Sequence, residues 1–101
     1  AERNIIMVDG KAMGRLYLDR WKDEIRIVDI ALLPAGRGHG IGGKLLRKVL
    51  REGESTRKKV SIHVEQMNRA KRLYERLGFV KVGEHGIYER MEWIPAAAGS
   101  G

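Results

Sequence analysis

Apolar and polar residues alternate in short runs over the first third of the chain. Residues 4–8 (Asn4-Ile5-Ile6-Met7-Val8) and 12–18 read as two strands joined through Asp9-Gly10, a dipeptide suited to a tight hairpin turn. A polar turn at 19–23 leads into residues 25–33, which alternate at first and then become apolar at most positions. That pattern predicts a third strand that becomes buried on both faces, ended by Pro34. From Gly40 to about Glu52 the period changes. Ile41, Leu45, Leu46, Val49 and Leu50 fall on one helical stripe, with Gly53 as its predicted stop. Residues 59–64 read as a strand. Asn68 suits a helix N-cap; Ala70, Leu73, Tyr74 and Leu77 share a face of the helix that follows, and Gly78 closes it. Residues 79–82 and 87–93 read as a last antiparallel pair around Glu84-His85-Gly86.

The predicted order is β-β-β-α-β-α-β-β. The three meander strands feed a helical crossover into a strand lying parallel to the third, which makes an α/β domain with a mixed, mostly antiparallel sheet. We expect one domain over residues 1–94 and a flexible tail or added remnant over 95–101.

At 101 residues the chain has room for one modest core. It has no internal repeat and no apolar run long enough to cross a bilayer. Residues 1–4 do not resemble a signal peptide, so a cytoplasmic protein is the expectation. There is no Cys, which excludes disulfides and a thiolate nucleophile. The net charge of +7 would attract a polyanion or a phosphate-rich cofactor. Interleaved Glu52, Glu54, Glu65 and Glu75, and few aromatics, make nucleic acid the less favoured partner.

The richest stretch for chemistry is Arg37-Gly38-His39-Gly40-Ile41-Gly42-Gly43-Lys44, between the third strand and the first helix. Closely spaced glycines at a helix start leave bare N–H groups that can approach a phosphate. A nucleotide P-loop is rejected, because Leu45 stands where that motif needs Ser or Thr. Gly38-x-Gly40-x-x-Gly43 matches the dinucleotide fingerprint, but a single β-α-β unit leaves too little room for a dinucleotide.

Arg37-x-x-Gly40-x-Gly42 followed by Leu45-Leu46 resembles the acetyl-CoA diphosphate loop of the GNAT superfamily of N-acetyltransferases. Asn68-Arg69-Ala70-Lys71-Arg72-Leu73-Tyr74-Glu75-Arg76-Leu77-Gly78-Phe79 resembles that family's second characteristic helix. The likeness runs from about Ile5 to Trp93. It implies acetyl transfer from acetyl-CoA to a primary amine, a small molecule or a peptide. The amides of Gly38, His39, Gly40, Ile41, Gly42 and Gly43 would surround the diphosphate, with Arg37 opening the motif. Backbone groups of Ile30, Ala31 and Leu32 would pair with the pantetheine arm if the neighbouring strand splays away. Tyr74 would protonate the departing thiolate; its alternative role is a core aromatic. Asn68 is either part of this cofactor site or a helix cap, since Met67 occupies the family's usual Asn position.

Asp29, a lone carboxylate in a mostly apolar strand, is the candidate base. Its alternative role is a paired structural aspartate, and Glu65 or water could serve in its place. His39 reads as a solvated loop residue and His63 as structural, and no metal-ligand spacing links the histidines. The family's first strand and first two helices have no counterpart here, so against the resemblance the chain is N-terminally shortened: a fragment of a longer protein, a minimal member that completes its site with a second subunit, or a cofactor fold without efficient catalysis. The sheet surface left open predicts a homodimer. The competing reading is a non-catalytic module that holds CoA or binds nucleic acid.

Overall fold

A computed structural model describes residues 2–8, 11–32 and 40–96, with side chains from Gly14 onward apart from those of Leu32 and Ile41. The Asp9-Gly10 turn, Pro34, Arg37, Gly38, His39 and the tail from residue 97 lie outside the described residues. The strands are β1 (Glu2–Val8), β2 (Lys11–Arg20), β3 (Glu24–Leu32), β4 (Lys59–Glu65), β5 (Val80–His85) and β6 (Tyr88–Trp93); the helices are α1 (Ile41–Thr56) and α2 (Lys71–Arg76). They follow the predicted order and form one sheet arranged β1-β2-β3-β4-β6-β5. Among the described strands only β3 and β4 run parallel, as the α1 crossover demands.

One sheet face carries the core. Leu16, Leu18, Ile25, Ile27, Val60, Ile62, Val64 and Met91 meet Leu46, Val49 and Leu50 of α1, Tyr74 of α2, and Phe79. The other face is polar. It holds a network in which Glu24 accepts from Ser61 Oγ, from Arg26 Nη2 at 3.1 Å and from Arg90 Nη2 at 3.2 Å. Burial pushes the Glu24 carboxyl up, but the Ser61 hydrogen bond and the guanidiniums of Arg90 and Arg26 outweigh it and hold it below the usual range.

Two expectations are corrected. The late part of β3 is not buried on both faces: Val28 is 48% exposed, and Asp29, Ile30 and Ala31 are half-buried. Its continuous apolar run reflects a shift in alternation, described below. Nor does Gly53 stop α1, which continues to Thr56. A Cβ at Gly53 would lie 2.9 Å from both Trp93 Cζ3 and the Lys58 carbonyl, so this glycine lets a ring and the returning chain come close. The helix ends instead at Arg57, in the left-handed region at φ 57°, with the Lys58 N–H donating to the Gly53 carbonyl at 2.9 Å.

Candidate active site

The site begins where β3 leaves β4. Leu18 of β2 faces Ile27, but Tyr17 faces Asp29, so Val28 is an extra residue bulged from β3. Such a bulge bends the strand and shifts its alternation. It coincides with the last β3–β4 pair, Ile27 with Ile62. Past that pair each strand is held only by its outer neighbour. Ile30, Ala31 and Leu32 face Leu16, Arg15 and Gly14 of β2, while His63, Val64 and Glu65 face β6. The inner edge of β3 over residues 28–32 has no ladder partner among the described residues. Unpaired main-chain groups of this kind are a template for an extended ligand.

A cleft of about 170 Å³ lies in the opening. It is lined by Val28, Asp29, Ile30, His63, Glu65, Asn68, Tyr74 and Tyr88, with Ile27, Ile62 and Val64 behind them. Four predicted site residues, Asp29, Ile30, Asn68 and Tyr74, therefore share one cavity, and Ala31 and Leu32 extend its free edge.

Tyr74 belongs to the core and also lines the cleft. It is 4% exposed, and its ring meets Phe79 edge-on with centroids 5.8 Å apart. Its hydroxyl has no hydrogen-bond partner among the described residues. Burial pushes the phenol above its ordinary value, so it holds its proton at neutral pH. Asn68 caps the turn into α2: Oδ1 accepts from Ala70 N–H at 2.8 Å, while its side chain also lines the cleft. Asp29 is paired. Its Oδ2 accepts from Arg15 Nε at 2.6 Å, a contact made possible by the β2–β3 register.

His63, which its alternation in the strand presents as structural, is exposed and faces the cleft. Arg26 Nη1 lies 3.5 Å from its Nδ1. Burial lowers its proton affinity, and Arg26 and Arg90 lower it further, against the opposing pull of Glu24; the ring is neutral at pH 7. Tyr88, paired with Glu65 across β4 and β6, is a second cleft residue outside the predicted set. His63 lies on β4, the strand that parts from β3, and Tyr88 lies on β6 beside it; single-sequence periodicity reveals neither placement.

At the start of α1, Gly40 has φ 71° and ψ 11°, in the left-handed region that favours glycine. No side chain caps the helix, and its first turn has no acid. The N–H groups of Ile41, Gly42 and Gly43 precede the first α-helical hydrogen bond, which Lys44 N–H makes to the Gly40 carbonyl at 3.0 Å. Donors without a partner among the described residues, a favourable dipole and a first turn without an acid suit an anion such as a diphosphate.

A mixed sheet that parts between its two parallel strands, beneath a glycine-led helix, has the plan of the acyltransferase fold that the sequence resembles. The family model for the acetyltransferase (GNAT) domain matches residues 1–81, and the chain belongs to that family. No curated protein sequence matches it. Among solved structures it is similar to PH1933 from Pyrococcus horikoshii OT3, at 29% identity and TM-score 0.79, over 91% of this chain and 64% of that one. It is also similar to the PaiA N-acetyltransferase of Thermoplasma acidophilum in complex with coenzyme A, at 19% identity and TM-score 0.78, over 87% of this chain and 57% of that one. The ribosomal-protein-S18-alanine N-acetyltransferase of Escherichia coli shares 23% identity and TM-score 0.80, over 95% of this chain and 70% of that one. The latter two show the common fold. The chain thus spans less than two-thirds of the length of the first two.

Proposed function

We propose that the chain binds acetyl-CoA and passes its acetyl group directly to a primary amine, with no covalent enzyme intermediate. The observation that carries this reading is the inner edge of β3, without a ladder partner among the described residues and opening onto a cleft that Tyr74 also lines. Acetyl-CoA, when bound, supplies an activated thioester. In this reading Ile30, Ala31 and Leu32 hold its pantetheine arm as an added strand. Amides from Gly38 to Gly43, with Arg37 before them, hold the diphosphate, and Asn68 borders the thioester end. The amine nitrogen bonds to the acetyl carbon as the carbon–sulfur bond breaks. Tyr74 gives its proton to the leaving sulfur. The amine's proton passes to Asp29, whose Oδ1 accepts no hydrogen bond among the described residues, or to Glu65 or water.

The Arg15–Asp29 pair favours a second reading, a cofactor-holding domain without turnover, because the proposed base is already engaged. Calorimetry with acetyl-CoA and a thiol-release assay over a panel of small amines and peptides separates the two. Stoichiometric binding with amine-dependent thiol release supports transfer. Binding without release supports the holding domain, and no binding removes both. The same reading includes a homodimer formed over the open sheet, where Val28, Val80, Val82 and Tyr88 are exposed.

A further inference from the structure

The outer surfaces of the two helices carry a feature that acetyl transfer does not use. Lys44, Arg47, Lys48 and Arg51 are exposed along α1, and Arg72 and Arg76, spaced i, i+4, are exposed on α2 with Arg69 just ahead of them. Between the helices runs an open groove of about 580 Å³. Arg47, Arg51 and Arg76 line it, and Leu50, Leu77 and Trp93 contribute apolar surface. The Trp93 ring sits close against Gly53 and Gly78, which holds it in place at the groove.

Of the acids that temper this charge in the sequence, one is paired with a cation outside the groove. Glu52 binds Arg20 through both oxygens, at 2.6 and 2.9 Å. Glu54 lines the groove as a carboxylate, accepts the Ala96 N–H at 3.1 and 3.2 Å, and leaves Arg47, Arg51 and Arg76 in excess there. Glu75 alone stands among the α2 cations. Arg47, Arg51, Arg72 and Arg76 make no ion pair among the described residues.

We propose that this groove and the two cationic rows beside it bind the phosphate backbone of a nucleic acid. At about 1.5 Å rise per residue, Arg47 to Arg51 spans roughly 6 Å, so these two guanidiniums of the groove can meet neighbouring phosphates of one strand. Arginine forks match phosphate oxygens bidentately. A backbone needs spaced cations rather than side-chain pockets, and the groove offers Arg47, Arg51 and Arg76. With Trp93 as its one aromatic, it has no array for stacking bases, so binding is independent of sequence. Arg51 and Arg76 lie toward the C-terminal ends of their helices, away from the α1 start assigned to the diphosphate.

The test is anisotropy of a fluorescein-labelled, mixed-sequence single-stranded RNA of about 20 nucleotides, titrated from about 50 to 200 mM KCl. The expected result is a linear dependence of log K on log salt, with a slope of about −0.7 per phosphate contacted. Arg51→Ala/Arg76→Ala should reduce that slope by about 1.4 and weaken binding about tenfold at 100 mM salt. Arg51→Lys/Arg76→Lys should retain the slope. Saturating coenzyme A should leave RNA bound. No RNA binding at low salt, binding unaltered by the double alanine variant, displacement by coenzyme A, or stronger competition by polyglutamate than by RNA would each overturn the proposal. Acetyl-CoA binding and turnover are read separately, so failure here leaves the proposed acetyl transfer standing.

Discussion

Replacing Tyr74 with Phe separates the packing role of this residue from its chemical one. The ring stays, and with it the edge-on contact to Phe79 at 5.8 Å. The hydroxyl makes no hydrogen bond among the described residues, so its removal sacrifices none, and the expected change in stability is within about 1 kcal/mol. Catalysis should respond differently. A positioned proton donor contributes roughly 10²- to 10⁴-fold, or about 3 to 5 kcal/mol of barrier. The assay is thiol release at saturating acetyl-CoA, beside calorimetric acetyl-CoA affinity and urea unfolding of the same preparation. Tyr74→Phe should lower kcat by at least about 100-fold while leaving the Kd for acetyl-CoA and the unfolding midpoint nearly unchanged. The phenol's raised proton affinity sets the pH behaviour. Its neutral form supports the fold fully below about pH 10, and that support is lost as pH rises through the folded-state value. Tyr74→Phe should therefore remove part of the alkaline loss of stability. A kcat within about threefold of wild type, on a variant that binds acetyl-CoA normally, would refute the acid role.

Gly42→Asp places a carboxylate beside the bare amides of α1, and calorimetry should show acetyl-CoA affinity falling by at least about 100-fold through charge repulsion. Gly53→Ala forces a Cβ to within 2.9 Å of Trp93 and the Lys58 carbonyl, and should cost about 1 to 3 kcal/mol in urea unfolding. The lowered pKa of Glu24 gives stability that is present above about pH 4.5 and lost as pH falls through its folded-state value. Glu24→Gln should flatten that acid limb; an unchanged pH slope would exclude Glu24 as its source. Sedimentation equilibrium should report a dimer, and a monodisperse monomer at high concentration would contradict self-association over the open sheet.

Much of the fold follows from local pattern. The helical crossover, the parallel β3–β4 pair and the last hairpin all follow from periodicity and turn residues. What escaped depends on contacts distant in sequence. Gly53 resembles a helix stop, yet its role is set by Trp93, which is distant in sequence and packs against it from β6. The apolar stretch after Ile27 resembles two-sided burial, because a bulged residue and a buried one look alike in one dimension. The bulge at Val28 is visible only through the pairing of Tyr17 and Leu18 across β2. Only the resemblance to a family helix offers Tyr74 as a site candidate; its spacing alone says core, and the structure shows a core residue that also lines the cleft. The Arg15–Asp29 pair and the cleft-facing His63 depend on strand register, which residue type does not encode.

The account rests on an extended ligand completing the sheet where β3 and β4 part. A crystal structure of the chain grown with coenzyme A tests this most directly. It should show the pantetheine arm hydrogen-bonded along residues 30–32, with its sulfur near the Tyr74 hydroxyl and the diphosphate at the amides of Ile41, Gly42 and Gly43. The ligand lying elsewhere, or β3 and β4 paired continuously past Ile27 and Ile62, would contradict it.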